Sequence, residues 1–328
     1  MSQSADPLIV DPIAETNAVI SMFRNFGRIL SFFYRKKTLG AIGLTIILII
    51  GMLAIFAPLF ARYDPSFIFQ TDNPNYKTNP SIADLAKDSN ASSPIIVTQL
   101  TQPDSEHWFG TSRAGHDIYA RIIYGTRTSL MVGLIASVIA VGLGIVIGGA
   151  TGYYLGWLDL LVQRLIDTLQ ALPSLVLLLL IGQTFDASLR NVIITMGIIG
   201  LPITSRLIRS AVLAIRASTF VEAATALGAS DSRIMFRHVL PNIGSVVIIS
   251  FTIGIGAYIL FEATLSFLGV GPSGVISWGR MVNEGRASID IHPWLTVWSG
   301  TALSLTVVAF NLFGDAIRDV LDPRLRGS

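Results

Sequence analysis

The sequence predicts an all-α protein that crosses a membrane with six helices and keeps both termini in the cytoplasm. Of its 328 residues, 52% are hydrophobic and only 13% are charged, whereas a soluble domain carries about 25% charged residues. Six apolar segments are long enough to cross a bilayer as helices, which takes about 20 residues each. Helices are expected because lipid offers no partners for open backbone N–H and C=O groups.

The chain begins with a leader, residues 1–37, that is predicted to lie in the cytoplasm. Its segment 21–34 is basic and amphipathic, which is typical of a helix on the membrane surface. The alternative is that this segment is the ragged start of the first span. The leader does not have the pattern of a cleavable signal, because the apolar run that follows it is too long.

The first span is predicted over residues 38–61 and is followed by a long external loop, residues 62–127. The first part of this loop is rich in Asn, Asp, Ser and Pro, which is typical of irregular, exposed chain. Its later part, which begins at His107, regains helical periodicity and leads into the second span.

Five further spans form a predicted membrane core over residues 128–316, and residues 317–328 form a tail. These spans are predicted at residues 128–158, 165–183, 192–213, 243–268 and 294–313. The span at residues 128–158 contains a run of small residues, GLGIVIGGATGYYLG. Small residues let helices approach closely, which suits tight packing and moving interfaces equally well.

Basic residues set the predicted orientation, since Lys and Arg accumulate on the cytoplasmic side of membrane spans. The leader holds Arg24, Arg28, Arg35, Lys36 and Lys37 just before the first span. With six spans the tail returns to the cytoplasm, and the polar stretch between spans four and five lies there too.

Several function classes are disfavoured by what the chain lacks. The net charge is only +2, which does not favour nucleic acid as a partner. There are no cysteines, so disulfides and thiol chemistry are excluded. The sequence has no P-loop, zinc-protease or hydrolase motif, and its four histidines are scattered outside the spans. We therefore expect no enzymatic activity, no catalytic residue, no cofactor and no metal site.

Ionisable residues within or beside the spans are costly in lipid and often functional. Arg164 and Asp167 share a helix face, and the simplest interpretation is a self-neutralising pair at the interface. Glu262, near the outer end of span five, faces either a water-filled part of a translocation path or an interfacial partner, Arg280 or Arg286. A proton-coupled carrier would need a chain of such groups near the middle of the membrane, and the sequence shows none.

The most polar segment of the second half, residues 219–242, is predicted to fold as two short helices joined at a glycine. We call this segment the elbow. Thr219 and Glu222 have the S/T-x-x-E spacing of a capping box, and the residues between Glu222 and Gly228 are mostly strong helix formers. Gly228 suits the left-handed position that follows a helix.

The second helix of the elbow is predicted to begin at Ser230 or Asp231, since either residue type caps a helix well. Arg237 and His238 fall in its last turn, where positive charge is favourable. Pro241 is predicted to stop the helix, because proline has no N–H and clashes with the preceding turn.

From these residues alone, two uses of the elbow remain open. It fits the groove of a partner protein, in the manner of a helix docked into a groove, or it is an amphipathic connector lying on the bilayer. The smooth patch for such a partner would be Ala223 and Ala224, and the apolar contacts would come from Ile234, Met235, Val239 and Leu240.

The elbow resembles the EAA loop, E-A-A-x3-G-x9-I-x-L-P, of the permease subunits of ABC importers. The matching positions are Glu222, Ala223, Ala224, Gly228, Leu240 and Pro241. His238 stands where that pattern has Ile, as is usual in the peptide-transporter branch.

Further motifs resemble the C-type permease subunit of the oligopeptide and dipeptide (peptide/nickel) transport family. They are FGTSRAGHDIYARIIYGTRTSL, EATLSFLGVG, SWGRMV and GDAIRDVLDPRLRG. The resemblance covers residues 61–328 apart from a polar insert, residues 67–104, that is longer than expected. Ser112 and His116 depart from the family's G-T-D-x-x-G-R-D pattern.

The resemblance implies the fold of a type I ABC importer permease in the plasma (inner) membrane, transporting peptides or related small solutes. It implies four kinds of partner: a second permease subunit in a hetero-dimer, two cytoplasmic ATPase subunits, an extracytoplasmic solute-binding protein and membrane lipid. The implied ATPase-coupling residues are Glu222, Ala223, Ala224, Gly228, His238, Leu240 and Pro241, and Glu262 is the candidate for the path. The alternative function is an ion-coupled secondary carrier. An intramembrane enzyme lacks a nucleophile–base pair at any recognisable spacing.

Overall fold

The computed structural model describes residues 37–75, 93–184 and 188–321, together with positions 34, 78, 87, 89 and 90. The predicted surface segment at 21–34 therefore lies almost entirely outside the described residues, as does the end of the tail. The helices are α1 (Thr38–Ile55), α2 (Ala57–Phe60), α3 (Ile118–Tyr154), α4 (Gly156–Ala171), α5 (Ser174–Thr184), α6 (Leu189–Arg216), α7 (Thr219–Ala226), α8 (Asp231–Ile234), α9 (Leu240–Asn242), α10 (Gly244–Phe267), α11 (Trp278–Arg286) and α12 (Trp294–Leu321). A π-helical turn, Met235–Val239, connects α8 to α9, and a short antiparallel pair is formed by β1 (Gln70–Asp72) and β2 (Ile95–Val97).

Within the described residues, five helices are long and apolar enough to cross a membrane, namely α1, α3, α6, α10 and α12. A sixth crossing is supplied by α4 and α5 only if they count as one span, since they meet at an angle of 84°. The bend is caused by Pro173, which disfavours helical backbone in the residue before it, and Leu172 is accordingly extended with φ −89° and ψ 131°. The prediction of a single span over 165–183 therefore gives the wrong shape, because the chain bends sharply within this segment.

The second predicted span also differs from the structure, because α3 begins earlier and ends sooner than expected. Its 37 residues give a length of about 55 Å at 1.5 Å per residue, well beyond the roughly 30 Å thickness of the hydrocarbon core. The helix ends at Tyr154, where Leu155 and Gly156 both have positive φ, of 57° and 66°. The helix is therefore longer than the hydrocarbon core is thick, and its Tyr154 end lies next to the elbow.

The glycine run predicted to allow close packing does so between α3 and α6. A Cβ atom on Gly144 would lie 2.8 Å from Thr204 Cγ2, and one on Gly152 would lie 2.8 Å from the carbonyl oxygen of Arg209. Gly148, one turn from each, would meet the carbonyl of Ser205 even more closely. These three glycines on one face bring the backbones of α3 and α6 into contact, as small residues do in membrane helix pairs.

The loop between α2 and α3 is more ordered than its composition indicates. The pair β1–β2 aligns Gln70 with Val97, and the buried Asn73 side chain donates to the backbone carbonyls of Asn90 and Ser93, at 2.7 and 2.9 Å. The Asn73 side-chain oxygen also accepts the Asn75 N–H at 2.9 Å, which forms an Asx-turn. The prediction of an irregular segment is therefore wrong for this part of the loop.

His107, in the later part of the loop, is buried and pairs with the residue that caps α3. Its Nδ1 lies 2.8 Å from Asp117 Oδ2, and Asp117 caps α3 by accepting the Ala120 N–H at 2.8 Å. The backbone N–H of His107 bonds to Asp104 and lowers the pKa of that carboxyl. The pair ties the loop to the start of α3, and no metal-binding cluster is present in the part of the chain that the structure describes.

Candidate functional site

The candidate site is the elbow, which lies at the end of the bundle opposite the α2–α3 loop. Its first helix, α7, ends as predicted at Gly228, which has φ +77°. The Gly228 N–H donates to the Thr225 carbonyl at 2.9 Å, and the Ala229 N–H donates to the Ala224 carbonyl at 3.1 Å. These two bonds form a Schellman motif, which fixes the direction in which the chain leaves the helix.

The start of α7 differs from the predicted capping box. Ser218 is the capping residue and Thr219 is already helical, and no capping residue's side chain bonds to the helix. The Ser218 hydroxyl instead donates to the Ile215 carbonyl at 2.5 Å, because α6 ends immediately before it. The capping box is therefore wrong, and the side chain of Glu222 stays exposed.

The second half of the elbow differs from the prediction at Pro241. Ser230 does precede α8, but its side chain makes no capping bond. The helical winding continues through Pro241 into α9 and is preceded by the π-helical turn. A π turn widens the helix and moves the preceding carbonyls, which relieves the clash that a proline otherwise causes. Asn242 Nδ2 donates to the His238 carbonyl at 2.6 Å. Since Leu240–Asn242 is helical, Pro241 does not stop the helix.

The elbow is packed firmly onto the ends of α3 and α6. Val221, Ile234 and Val239 are 4%, 1% and 0% exposed and form one cluster with Ile208 and Val212 of α6. Burying an aliphatic side chain stabilises by about 1.5–3 kcal/mol. These contacts make the elbow part of the same body as the membrane helices.

A hydrogen bond also joins the elbow to α3. The Tyr153 hydroxyl donates to Asp231 Oδ1 at 3.0 Å, and the guanidinium of Arg216 lies 5.7 Å from the centre of the Tyr153 ring. Glu222 and Arg216 line the same groove beside this bond, a depression of about 640 Å³. The elbow is therefore joined directly to the end of α3.

The exposed apolar side chains of the elbow are not those that the sequence indicated. Ile234 and Val239 face the bundle, whereas Leu227, Phe236 and Phe220 are 88%, 71% and 43% exposed. We call these last three residues the apolar knob. The exposure of Leu227 could be predicted from the sequence, since this residue directly precedes the turn at Gly228. The exposure of Phe236 could not, because the π turn changes the helical phase.

The predicted coupling residues otherwise lie on or near this surface. Glu222, Ala223 and Gly228 are exposed and Ala224 is half-buried. His238 is half-buried with its ring 6.4 Å from that of Phe220. Leu240 is also half-buried and Pro241 is exposed.

Glu262 lies apart from the elbow, in α10. The residue is fully buried, and Oε1 accepts a hydrogen bond from the Ser266 hydroxyl at 2.6 Å. Its other oxygen has no partner among the described residues. Pairing with Arg280 or Arg286 is wrong, since Arg280 lies 3.5 Å from Glu284 and Arg286 lies over the Phe267 ring.

The charges near α4 form more pairs than the sequence suggested. Asp167 contacts both Arg164, at 3.8 Å, and Arg206 of α6. Asp159 accepts two bonds from Arg209, at 2.7 and 2.6 Å, the bidentate geometry that makes such pairs strong. These contacts hold α4 against α6 next to the elbow.

Two family models match the sequence. One, described as a binding-protein-dependent transport system inner membrane component, matches residues 130–327. The other, the N-terminal transmembrane domain of oligopeptide transport permease C, matches residues 32–84.

The similar curated proteins are permeases that match over nearly their whole length. A dipeptide transport system permease protein of Alkalihalophilus pseudofirmus is 38% identical over 293 residues, covering 89% of this chain and 88% of the relative. Glutathione transport system permease proteins of Escherichia coli and Pectobacterium atrosepticum are 35% and 33% identical, covering 90% and 96% of this chain and 89% and 95% of the relatives. Among solved structures, an inward-facing MetNI methionine ABC transporter chain matches with TM-score 0.51 at 17% identity, over 62% of this chain and 96% of that chain. This last likeness supports the fold alone.

Proposed function

We propose, from the fact that this chain belongs to the family of binding-protein-dependent transport system inner membrane components, that it is one of two permease subunits of an ATP-driven peptide importer. The family and the helices place the chain in the inner membrane as a multi-pass protein. The similar proteins are named for dipeptides and glutathione, which supports a peptide or a related small molecule as the solute.

The proposed partners follow from what the chain contains and what it lacks. It has no P-loop, so ATP hydrolysis belongs to separate ATPase subunits, two of which would bind on the cytoplasmic side. A solute-binding protein outside the membrane would deliver the solute, as the family description implies. A second permease subunit would complete the path, and lipid would cover the outer faces of the helices.

The observation that carries the proposal is the apolar knob on a rigidly attached elbow. Leu227 and Phe236 expose most of their surface, although they lie on a polar segment outside the spans. Apolar side chains that are exposed outside the membrane support a protein-interaction site at the elbow. We propose that the knob enters a groove of the ATPase, while Ile234 and Val239 hold the elbow on the membrane helices.

The residues of the EAA pattern have distinct roles in this proposal. Glu222 and Ala223 present the exposed face of α7, and Ala224 supplies the carbonyl that closes the turn at Gly228. His238 packs near Phe220 at the edge of the knob. Leu240 and Pro241 set the winding that returns the chain to α10. Closure of the ATPases would push the elbow and shift the helices between two states that differ in access.

Copurification of the assembled complex tests the knob. Replacing Leu227 and Phe236 together by Ser removes two apolar side chains, each worth about 1.5–3 kcal/mol when buried. We expect the variant to remain in the membrane with the second permease subunit but to lose its ATPase subunits. Leu160→Ser, at a leucine of α4 that is 67% exposed, is the control and should retain them. Full retention by the double variant would contradict the proposed contact.

A further inference from the structure

A cavity of about 240 Å³ lies among α3, α5, α6 and α10, within the membrane-spanning part of the bundle. Its walls are largely apolar, and among the described residues that line it none is charged. The polar groups of the lining are all hydroxyls. They belong to Ser137, Ser174, Thr204, Ser250 and Tyr258.

The Tyr258 hydroxyl lacks the kind of hydrogen bond that two other hydroxyls of this cavity make. Ser137 donates to the Phe251 carbonyl at 2.8 Å and Thr204 donates to the Gly200 carbonyl at 2.9 Å. The Tyr258 side chain lines the cavity and the residue is only 8% exposed, yet its hydroxyl has no hydrogen-bond partner in the described part of the chain. The hydroxyl oxygen is open to the cavity rather than enclosed by protein, and tyrosine hydroxyls usually find a hydrogen-bond partner. The missing partner is therefore expected to come from outside this chain.

The position of the Tyr258 ring is set by two glycines. A Cβ atom on Gly200 of α6 would collide with the Tyr258 hydroxyl oxygen. One on Gly254, a turn away on α10, would lie 3.4 Å from the ring and 2.8 Å from the Ser137 hydroxyl oxygen. The glycines thus leave the space in which the phenol crosses from α10 to α6, with its hydroxyl at the cavity wall.

The depth and size of the cavity indicate half of a binding site. At 1.5 Å per residue, Tyr258 lies about 21 Å from the start of α10 and about 14 Å from its end, near the middle of a span. The volume of 240 Å³ is smaller than the roughly 300–1,000 Å³ of pockets that enclose a whole small ligand. Ala257 and Ile203, which also line the cavity, are exposed, so its open side is free for a second permease subunit to complete.

We propose that this cavity is the chain's half of the solute contact site and that Tyr258 hydrogen-bonds the uncharged, amide-bearing part of a peptide. The inference rests on the proposed import function and assigns its contact residues. A phenol O–H both donates to an amide carbonyl and accepts from an amide N–H. A charged group would find no counter-charge in this cavity, where burying an unpaired charge is costly. The charged ends of the peptide therefore lie outside it.

The first test removes only the Tyr258 hydroxyl, in the whole importer reconstituted in liposomes with its ATPases, second permease subunit and binding protein. With dialanine as the probe, Tyr258→Phe should lower the maximal ATP-dependent uptake by about two- to tenfold, the value of one net hydrogen bond. Because the hydroxyl has no partner among the residues that the structure describes, thermal stability and complex yield should not change. Unchanged uptake, or a fall that tracks lost stability, would overturn the assignment.

The second test uses the absence of cysteine from the chain. Ser250→Cys should react with a water-soluble methanethiosulfonate, and dialanine supplied during turnover should slow that reaction. Ile248→Cys is the matched control, since Ile248 is 45% exposed, lies outside the cavity lining and points about 200° away around the helix. Equal labelling of both, or labelling of Ser250→Cys that dialanine does not slow, would overturn the site. An unsubstituted importer that fails to take up peptide would overturn the proposed function instead.

Discussion

Substitutions at Gly228 test the role of the elbow, because they change the backbone of its turn without changing side-chain packing. Gly228 has φ +77°, and a Cβ atom there would have no neighbour within 4 Å. Gly228→Ala therefore adds only the cost of a left-handed backbone, roughly 1–2 kcal/mol. Gly228→Pro is far more disruptive, since it needs φ to change by about 140° and removes the N–H that bonds to Thr225.

We expect these two variants to weaken coupling in that order. Gly228→Ala should lower ATP-dependent uptake by about fivefold to thirtyfold if the whole backbone cost falls on the docked state, and Gly228→Pro should abolish it. The assay is uptake per assembled complex, beside the binding-protein-stimulated ATPase rate. The control is Gly244→Ala, because Gly244 has ordinary φ and open space around it. Normal uptake by Gly228→Pro, with the complex intact, would contradict the proposed role of the turn at Gly228.

Three further predictions concern the rest of the chain. Tyr153→Phe removes the bond to Asp231 and should lower the uptake obtained per ATP hydrolysed by about tenfold or more, since a bond to a charged group contributes about 1.5–3 kcal/mol; an unchanged ratio would contradict the link. Glu262→Gln should keep the melting temperature in detergent near that of the parent, because no cation lies beside this buried group, whereas Glu262→Ala should lower it; a large loss with Gln would show that a charge is needed. Gly148→Leu should prevent accumulation in the membrane by forcing α3 from α6, while Gly142→Leu, with open space around it, should be tolerated; equal yields would contradict the close contact.

Hydropathy located the apolar segments but did not fix their shape. The run over 165–183 satisfies a spanning pattern, yet Pro173 within it bends the chain so that α4 and α5 meet at 84°. A window average does not register one residue whose backbone restriction decides the path. Likewise, the two positive φ values after Tyr154 end α3, although Leu155 gives no local signal of this conformation.

In the elbow, likewise, the features that local sequence determines were predictable, and those that depend on tertiary contacts were not. Gly228 was predictable because the left-handed position strongly prefers glycine. The capping box was not formed because Ser218 bonds back to the end of α6, a contact that depends on where α6 stops. The exposure of Phe236 depends on the π turn before Pro241, and the 3.6-residue period of an α-helix does not describe that turn.

The central claim is that this chain imports solute only when separate ATPases drive it, and uptake into liposomes tests this most directly. The chain is reconstituted with and without its ATPase and binding-protein partners, and labelled dialanine uptake is measured with ATP, with a non-hydrolysable analogue, and with an ion gradient alone. We expect uptake only with the full set of partners and hydrolysable ATP. Uptake by the chain alone on an ion gradient would contradict it and would support a secondary carrier.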